Sequence, residues 1–143
     1  MSPHPRVRFP FRHLPATGGG ELTPRPTVDV WLEGIDAVPL ASLVDTGALR
    51  TRFSRDLATA AGIQPDDDRA ETFALGGTIV TGAPALVLMR IGAGNDSHTW
   101  EAPVWFCDPW PFGFQLLGLE GFLEHFRVRL SAYREWLDCT PEH

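Results

Sequence analysis

With 143 residues, 43% of them hydrophobic and 21% charged, the chain has the size and composition of one soluble globular domain, and its apolar runs are too short to cross a bilayer. The formal net charge is −6 and all twelve basic residues are arginines. Without lysine there is no Walker-type phosphate loop and no Schiff-base nucleophile, and an acidic chain whose arginines are scattered along the sequence is a poor nucleic-acid partner.

Met1 is followed by proline- and arginine-bearing sequence with no continuous apolar stretch, so no secretory signal is expected and the expected location is cytoplasmic. In that compartment Cys107 and Cys139, which lack the spacing of a redox or zinc pair, read as reduced structural thiols. Residues 1–25 read as an extended or disordered arm ahead of a domain over 26–143. Up to Pro26 the chain carries six of its thirteen prolines and the run Gly18-Gly19-Gly20, although Phe9, Phe11 and Leu14 could dock on a surface. A phosphate cradle at those glycines is disfavoured, since no strand precedes them and no helix follows.

From Thr27 the pattern becomes that of a strand. Val28, Val30 and Leu32 alternate with polar or amphipathic neighbours, Glu33 to Asp36 make a turn, and Val38 to Val44 return as the second arm of a hairpin. This apolar strand ends at Asp45-Thr46-Gly47-Ala48. Two readings stand side by side for Asp45: a turn residue bonding its own backbone, or a functional carboxylate held at the end of a buried strand.

Ser54 is a good N-cap for a helix over Arg55 to Ala61, with Gly62 as its C-cap and Pro65 beyond. Asp66-Asp67-Asp68 reads as a solvated loop. Glu71 to Leu75 and Thr78 to Thr81 flank Gly76-Gly77, a strong signal for a projecting hairpin. Further strands are expected over Ala85 to Ile91 and His98 to Phe106, the latter near an edge because Pro103 interrupts it. The aromatic segment Asp108 to Phe114 is a loop that lines a groove or caps a core. Gln115 to Gly118 is a short strand, and Leu119 to Phe126 reads as a helix with Leu119, Phe122, Leu123 and Phe126 on one face and Glu120 and Glu124 solvated on the other. Alternation over Phe126 to Leu130, and Glu135 to Cys139 beyond it, close the chain in β-structure. The five histidines have no metal-ligand spacing and no nucleophile elbow is present, so no metal and no cofactor is expected.

The order of a hydrophobic strand into Asp45-Thr46-Gly47-Ala48, a short helix, a glycine-tipped hairpin, and Leu116-Leu117-Gly118 running into Gly121-Phe122-Leu123 resembles the retropepsin-like aspartic proteases, in particular the single-domain bacterial members. The resemblance extends from Pro26 to Asp138. It implies a mainly β fold, a small closed β-barrel with one or two short helices, and a two-fold homodimer in which each subunit supplies half of the site. It further implies peptide or protein substrates cleaved by a water held between Asp45 and its copy, two carboxylates that share one proton. In the family the residue matching Thr46 bonds across the axis and that matching Gly47 offers its backbone. Ala48 and the hairpin tip Leu75-Gly76-Gly77 would contact substrate, the hairpin closing as a flap. Two departures stand out. Leu49 and Leu119 occupy positions where many members carry an acidic residue and an arginine, which reads as packing in place of a buried ion pair, and Arg52 stands where an apolar residue is usual. These departures motivate a second reading, a catalytically silent module that binds peptide or dimerises.

Overall fold

The computed structural model describes residues 6–15 and 20–142; Gly18, Gly19, His4 and His143 lie outside the described residues. In chain order the strands are β1 (Val7–Pro10), β2 (Arg12–Pro15), β3 (Leu22–Arg25), β4 (Thr27–Leu32), β5 (Leu40–Val44) and β6 (Arg52–Ser54). The helix α1 (Arg55–Ala61) follows, then β7 (Glu71–Leu75), β8 (Thr78–Ile91), β9 (His98–Asp108), β10 (Gln115–Leu117), β11 (Phe126–Ser131) and β12 (Trp136–Pro141). The chain is mainly β, as its alternation predicts.

Six strands close a barrel in the order β4, β5, β10, β6, β9, β8, with β8 returning to β4 through the pairs Trp31 with Arg90 and Leu32 with Met89. Alternate residues of each strand fill its interior. Val28, Val30 and Leu32 are fully buried, as are Phe53, Phe106 and Leu117. Burying a side chain of this size contributes about 1.5–3 kcal/mol, so these positions commit the strands to one register. The helix is capped as its sequence predicts: Ser54 Oγ accepts from Asp56 N, and Gly62, in the left-handed region, closes the last turn.

The two expected strands at Thr78 to Thr81 and Ala85 to Ile91 are one long strand, because Gly82, Ala83 and Pro84 continue the pairing with Cys107, Phe106 and Trp105 of β9. Proline survives in both partners for one reason. Trp105 N donates to Thr51 O at 2.9 Å, so alternate residues of β9, Pro103 among them, turn their nitrogens away from β8. The β6 ladder starts at Trp105, leaving Pro103 beyond it on a one-sided stretch where no bond is lost.

Two further expectations are corrected in this part of the fold. Residues 119–125 are a series of turns, not a helix. Gly121 has φ +94°, and the carbonyl of Glu120 accepts from Thr51 N at 3.0 Å instead of from within its own segment. The backbone is therefore drawn outward toward residues 48–51, and Leu119 is 53% exposed while Phe122 and Phe126 stack at 4.9 Å in the core.

Of the segment expected as an arm, the described residues 6–15 and 20–25 are extended but integrated. β1 pairs along β12 in a three-stranded sheet of order β1, β12, β11, while β2 and β3 form a hairpin of their own. The pairing is fixed by Asp138, whose carboxylate is 1% exposed and accepts from Arg8 at 2.6 and 3.1 Å and from Arg129 at 2.8 Å. The Arg8 hydrogen bond, aided by Arg129 and opposed by burial, holds the Asp138 pKa down to about 2. A depressed carboxylate pKa contributes stability that is complete above its ordinary value of 3.8 and is lost as pH falls through about 2. Asp138→Asn is expected to cost about 2 kcal/mol at neutral pH. Melting curves check this: the gap to the parent chain should narrow across that acid window.

Candidate functional site

Asp45 is placed by a strand that arrives late in the sequence. β10 lies between β5 and β6 and runs parallel to β5, pairing Leu116 with Leu43 and Leu117 with Val44. Asp45 N donates to Leu117 O at 2.9 Å, continuing that ladder one residue past the strand. Beyond it the chain turns: Ala48 N donates to Asp45 O at 3.1 Å, and Gly47 N donates to Asp45 Oδ1 at 2.9 Å. Asp45 is thus a half-buried carboxylate at a strand end, and the local geometry contains the turn hydrogen bond as well. One oxygen is fixed by Gly47; among the described residues the other accepts no hydrogen bond. Thr46 and Gly47 are exposed, and a cavity of about 400 Å³ opens beside Asp45, lined by Thr23 to Pro26 and Leu43 to Thr46.

The loop is braced from below by the segment after β10. Leu119 N donates to Ala48 O and Glu120 N to Leu49 O, each at 2.9 Å, and Thr51 Oγ1 donates to Glu120 O at 2.8 Å while accepting from Gly118 N at 3.2 Å. Gly118 lies against the backbone carbonyls of Arg50 and Ala48, with no room for a Cβ. The sequence pairing of Asp45-Thr46-Gly47 with Leu117-Gly118 is therefore a physical contact.

The projecting hairpin of β7 and β8 forms as predicted, with Gly76 and Gly77 at φ +57° and +79°, the two left-handed residues of a tight hairpin turn. Its tip leans on the aromatic loop: a Cβ at Gly76 would come within 2.9 Å of the Phe112 ring, and Phe112 stacks on Phe114 at 5.2 Å. Beneath the hairpin Val80, Trp105 and Cys107 are buried against Phe73, Leu75 and Trp110. Among the described residues no hydrogen bond joins Leu75, Gly76 or Gly77 to Asp45, Thr46, Gly47 or Ala48. Burial pushes the Cys107 thiol up to about 11, which leaves it protonated and unreactive.

Two arginines join the loop to the hairpin. Arg50 lies over the Trp105 ring at 3.9 Å and pairs with Glu71 of β7 at 2.6 Å. Arg52 is half-buried over the Phe73 ring at 3.8 Å; burial lowers its pKa, and its Nη1 is buried with no hydrogen-bond partner among the described residues. Arg52 stands out in the sequence and Arg50 does not, although the spacing of two puts both on one face of an extended segment. Leu49 and Leu119 are not packed in place of an ion pair: they are 74% and 53% exposed, side by side through the Leu49 to Glu120 hydrogen bond. A larger cavity, of about 590 Å³, lies elsewhere, between Ile63, Pro84, Leu86, Trp105 and Glu120, and contains no part of the Asp45 loop. Among the described residues no cluster of histidine, cysteine and carboxylate side chains could hold a metal ion, and no helix is long and apolar enough to cross a membrane.

The sequence matches no family model and no curated protein. The fold is similar to that in a crystal structure of a retropepsin-like aspartic protease from Rickettsia conorii. The TM-score is 0.55 at 17% sequence identity, over 93% of this chain and 97% of that one. The chain therefore has a retropepsin-like fold.

Proposed function

We propose that the chain is an aspartic endopeptidase that acts as a homodimer, with Asp45 of each subunit meeting at a two-fold axis. The observation that carries this reading is the Asp45 carboxylate itself: it ends a strand, one oxygen is pinned by Gly47 N, and its loop is braced by the Gly118 segment within a retropepsin-like fold. Two such carboxylates side by side cannot both ionise, so they share one proton. The ionised member takes a proton from a water as that water attacks the scissile carbonyl, and the protonated member gives its proton to the carbonyl oxygen. Collapse of the tetrahedral intermediate then passes a proton to the leaving amine and restores the shared state. Thr46 would hold the pair across the axis, and Ala48 and the hairpin tip Leu75-Gly76-Gly77 would align the peptide.

The test is hydrolysis of a peptide mixture over a dilution series. Activity per chain should fall with dilution in step with the loss of dimer seen by sedimentation. Cleavage that persists unchanged in a monomer overturns the shared site. A dimer that binds peptides and leaves them intact replaces this reading with that of a silent peptide-binding module.

A further inference from the structure

Arg6 and Arg8 stand at one end of the sequence and Arg127 and Arg129 near the other, yet the three-stranded sheet gathers them. The register sets Arg129, Asp138 and Arg8 in one row across β11, β12 and β1, and Arg127 beside Thr140 in the next, so that these side chains share one face. Arg8 and Arg129 lie over the Trp136 ring at 3.9 and 5.3 Å, which fixes two guanidiniums in place. Four arginines meet two carboxylates here. Asp138 takes the short contacts from Arg8 and Arg129, whereas Arg6 reaches it only at 3.7 Å and Arg127 reaches Glu142 at 3.8 Å. Neither Arg6 nor Arg127 has a hydrogen bond among the described residues, and both are more than half exposed.

Between them lies a cavity of about 270 Å³ lined by Arg6, Arg127, Arg129, Asp138 and Thr140. We propose that this cavity is a binding site for a phosphate-type dianion, free phosphate or a small phosphate monoester, held by Arg6, Arg127 and the outer edge of Arg129 with the Thr140 hydroxyl as a further donor. The charge count favours a dianion over a monovalent carboxylate, since two positive charges on this face are uncompensated. Guanidiniums converging from separate strands suit a tetrahedral oxyanion, which accepts from several directions. In a chain of net charge −6 such a face also stands apart electrostatically from the rest of the surface. Asp138 anchors Arg129 here instead of repelling the anion, its charge already being met by short hydrogen bonds.

The experiment is calorimetric titration of the whole chain with inorganic phosphate at fixed ionic strength, set against the chain carrying Arg6→Gln and Arg127→Gln. Saturable binding of one phosphate per chain is expected, weakened about tenfold or more in the double variant. Arg69→Gln, remote on the short turn after α1, should leave it unchanged. A phosphate-dependent rise in melting temperature, absent with chloride at equal ionic strength, gives a second readout that does not depend on the variant. Equal affinity for acetate, no saturation, or equal binding by the double variant each overturns the proposal. Binding of a single-stranded oligonucleotide without saturable binding of phosphate also overturns it, in favour of an extended polyanion surface.

Discussion

Mixing equal amounts of the parent chain and Asp45→Asn, and allowing subunits to exchange, is expected to reduce peptide hydrolysis to about one quarter of that of the parent chain at the same total concentration. The reasoning is combinatorial. If the reacting water needs one carboxylate from each copy, only parent pairs are active, and they form with the square of the parent fraction. A chain that carried a complete site would instead retain about half of the activity. Asparagine is close to isosteric with aspartate and can still accept from Gly47 N, the hydrogen bond that holds the loop, so the variant should fold like the parent and, under the proposed two-fold assembly, pair like it. Alone it should lose about a thousandfold or more in kcat, because an amide can neither take nor give the proton. Undiminished hydrolysis by the pure variant would remove Asp45 from the mechanism.

Gly118→Ala is expected to destabilise the fold by about 3–5 kcal/mol, or to prevent folding. A Cβ at this position would stand 2.6 Å from the carbonyl carbon of Arg50 and 2.8 Å from the carbonyl oxygen of Ala48, and it would press still harder on the Arg50 oxygen. Those atoms belong to a backbone run fixed by bonds from Leu119 N to Ala48 O, from Glu120 N to Leu49 O and from Thr51 N to Glu120 O, so they cannot move aside as a side-chain tip would. Gly118 does not occupy the left-handed region, and crowding alone sets the cost. Gly77→Ala is the matching control. Gly77 has φ +79° with open space around it, so alanine there meets backbone strain of about 1 kcal/mol and no clash. Chemical denaturation of both variants separates the two causes, and a Gly118→Ala chain as stable as the parent would contradict the brace.

The sequence was most legible where one element's pattern is answered by its neighbour. Val28, Val30 and Leu32 alternate because β4 faces a core on one side, and Ser54 and Gly62 mark the ends of α1 because backbone groups at helix ends need those residues. Residues 119–125 mislead for a reason local pattern cannot carry: Leu119 and Glu120 commit backbone groups to residues 48–51, so the bonds that would start a helix are taken and the apolar spacing is satisfied by turns. The amino-terminal segment was misread because its partner, β12, lies at the other end of the chain and Asp138 gives no local sign of the arginines it gathers. The same blindness made those arginines look scattered. At the site, Asp45 and the glycine hairpin were visible as motifs, whereas the Arg50 contacts with Trp105 and Glu71 depend on strands brought together only by the barrel.

The insertion of β10 between β5 and β6 also bears on when the Asp45 loop can exist during synthesis. Leu117, whose carbonyl receives Asp45 N, is made 73 residues after Val44. At about 5–20 residues per second this delays the loop by roughly 4–15 s, and the wait lengthens further before β12 can receive β1. A nascent chain therefore emerges with β5 paired only to β4 and the Asp45 loop beyond it unbraced, while the hairpin of β7 and β8, whose partners are also adjacent in sequence, has time to form. Chains truncated before Gln115 should resist proteases better over β7, β8 and β9, a three-stranded unit of sequence neighbours, than over the loop at residues 45–51, which should be cut freely.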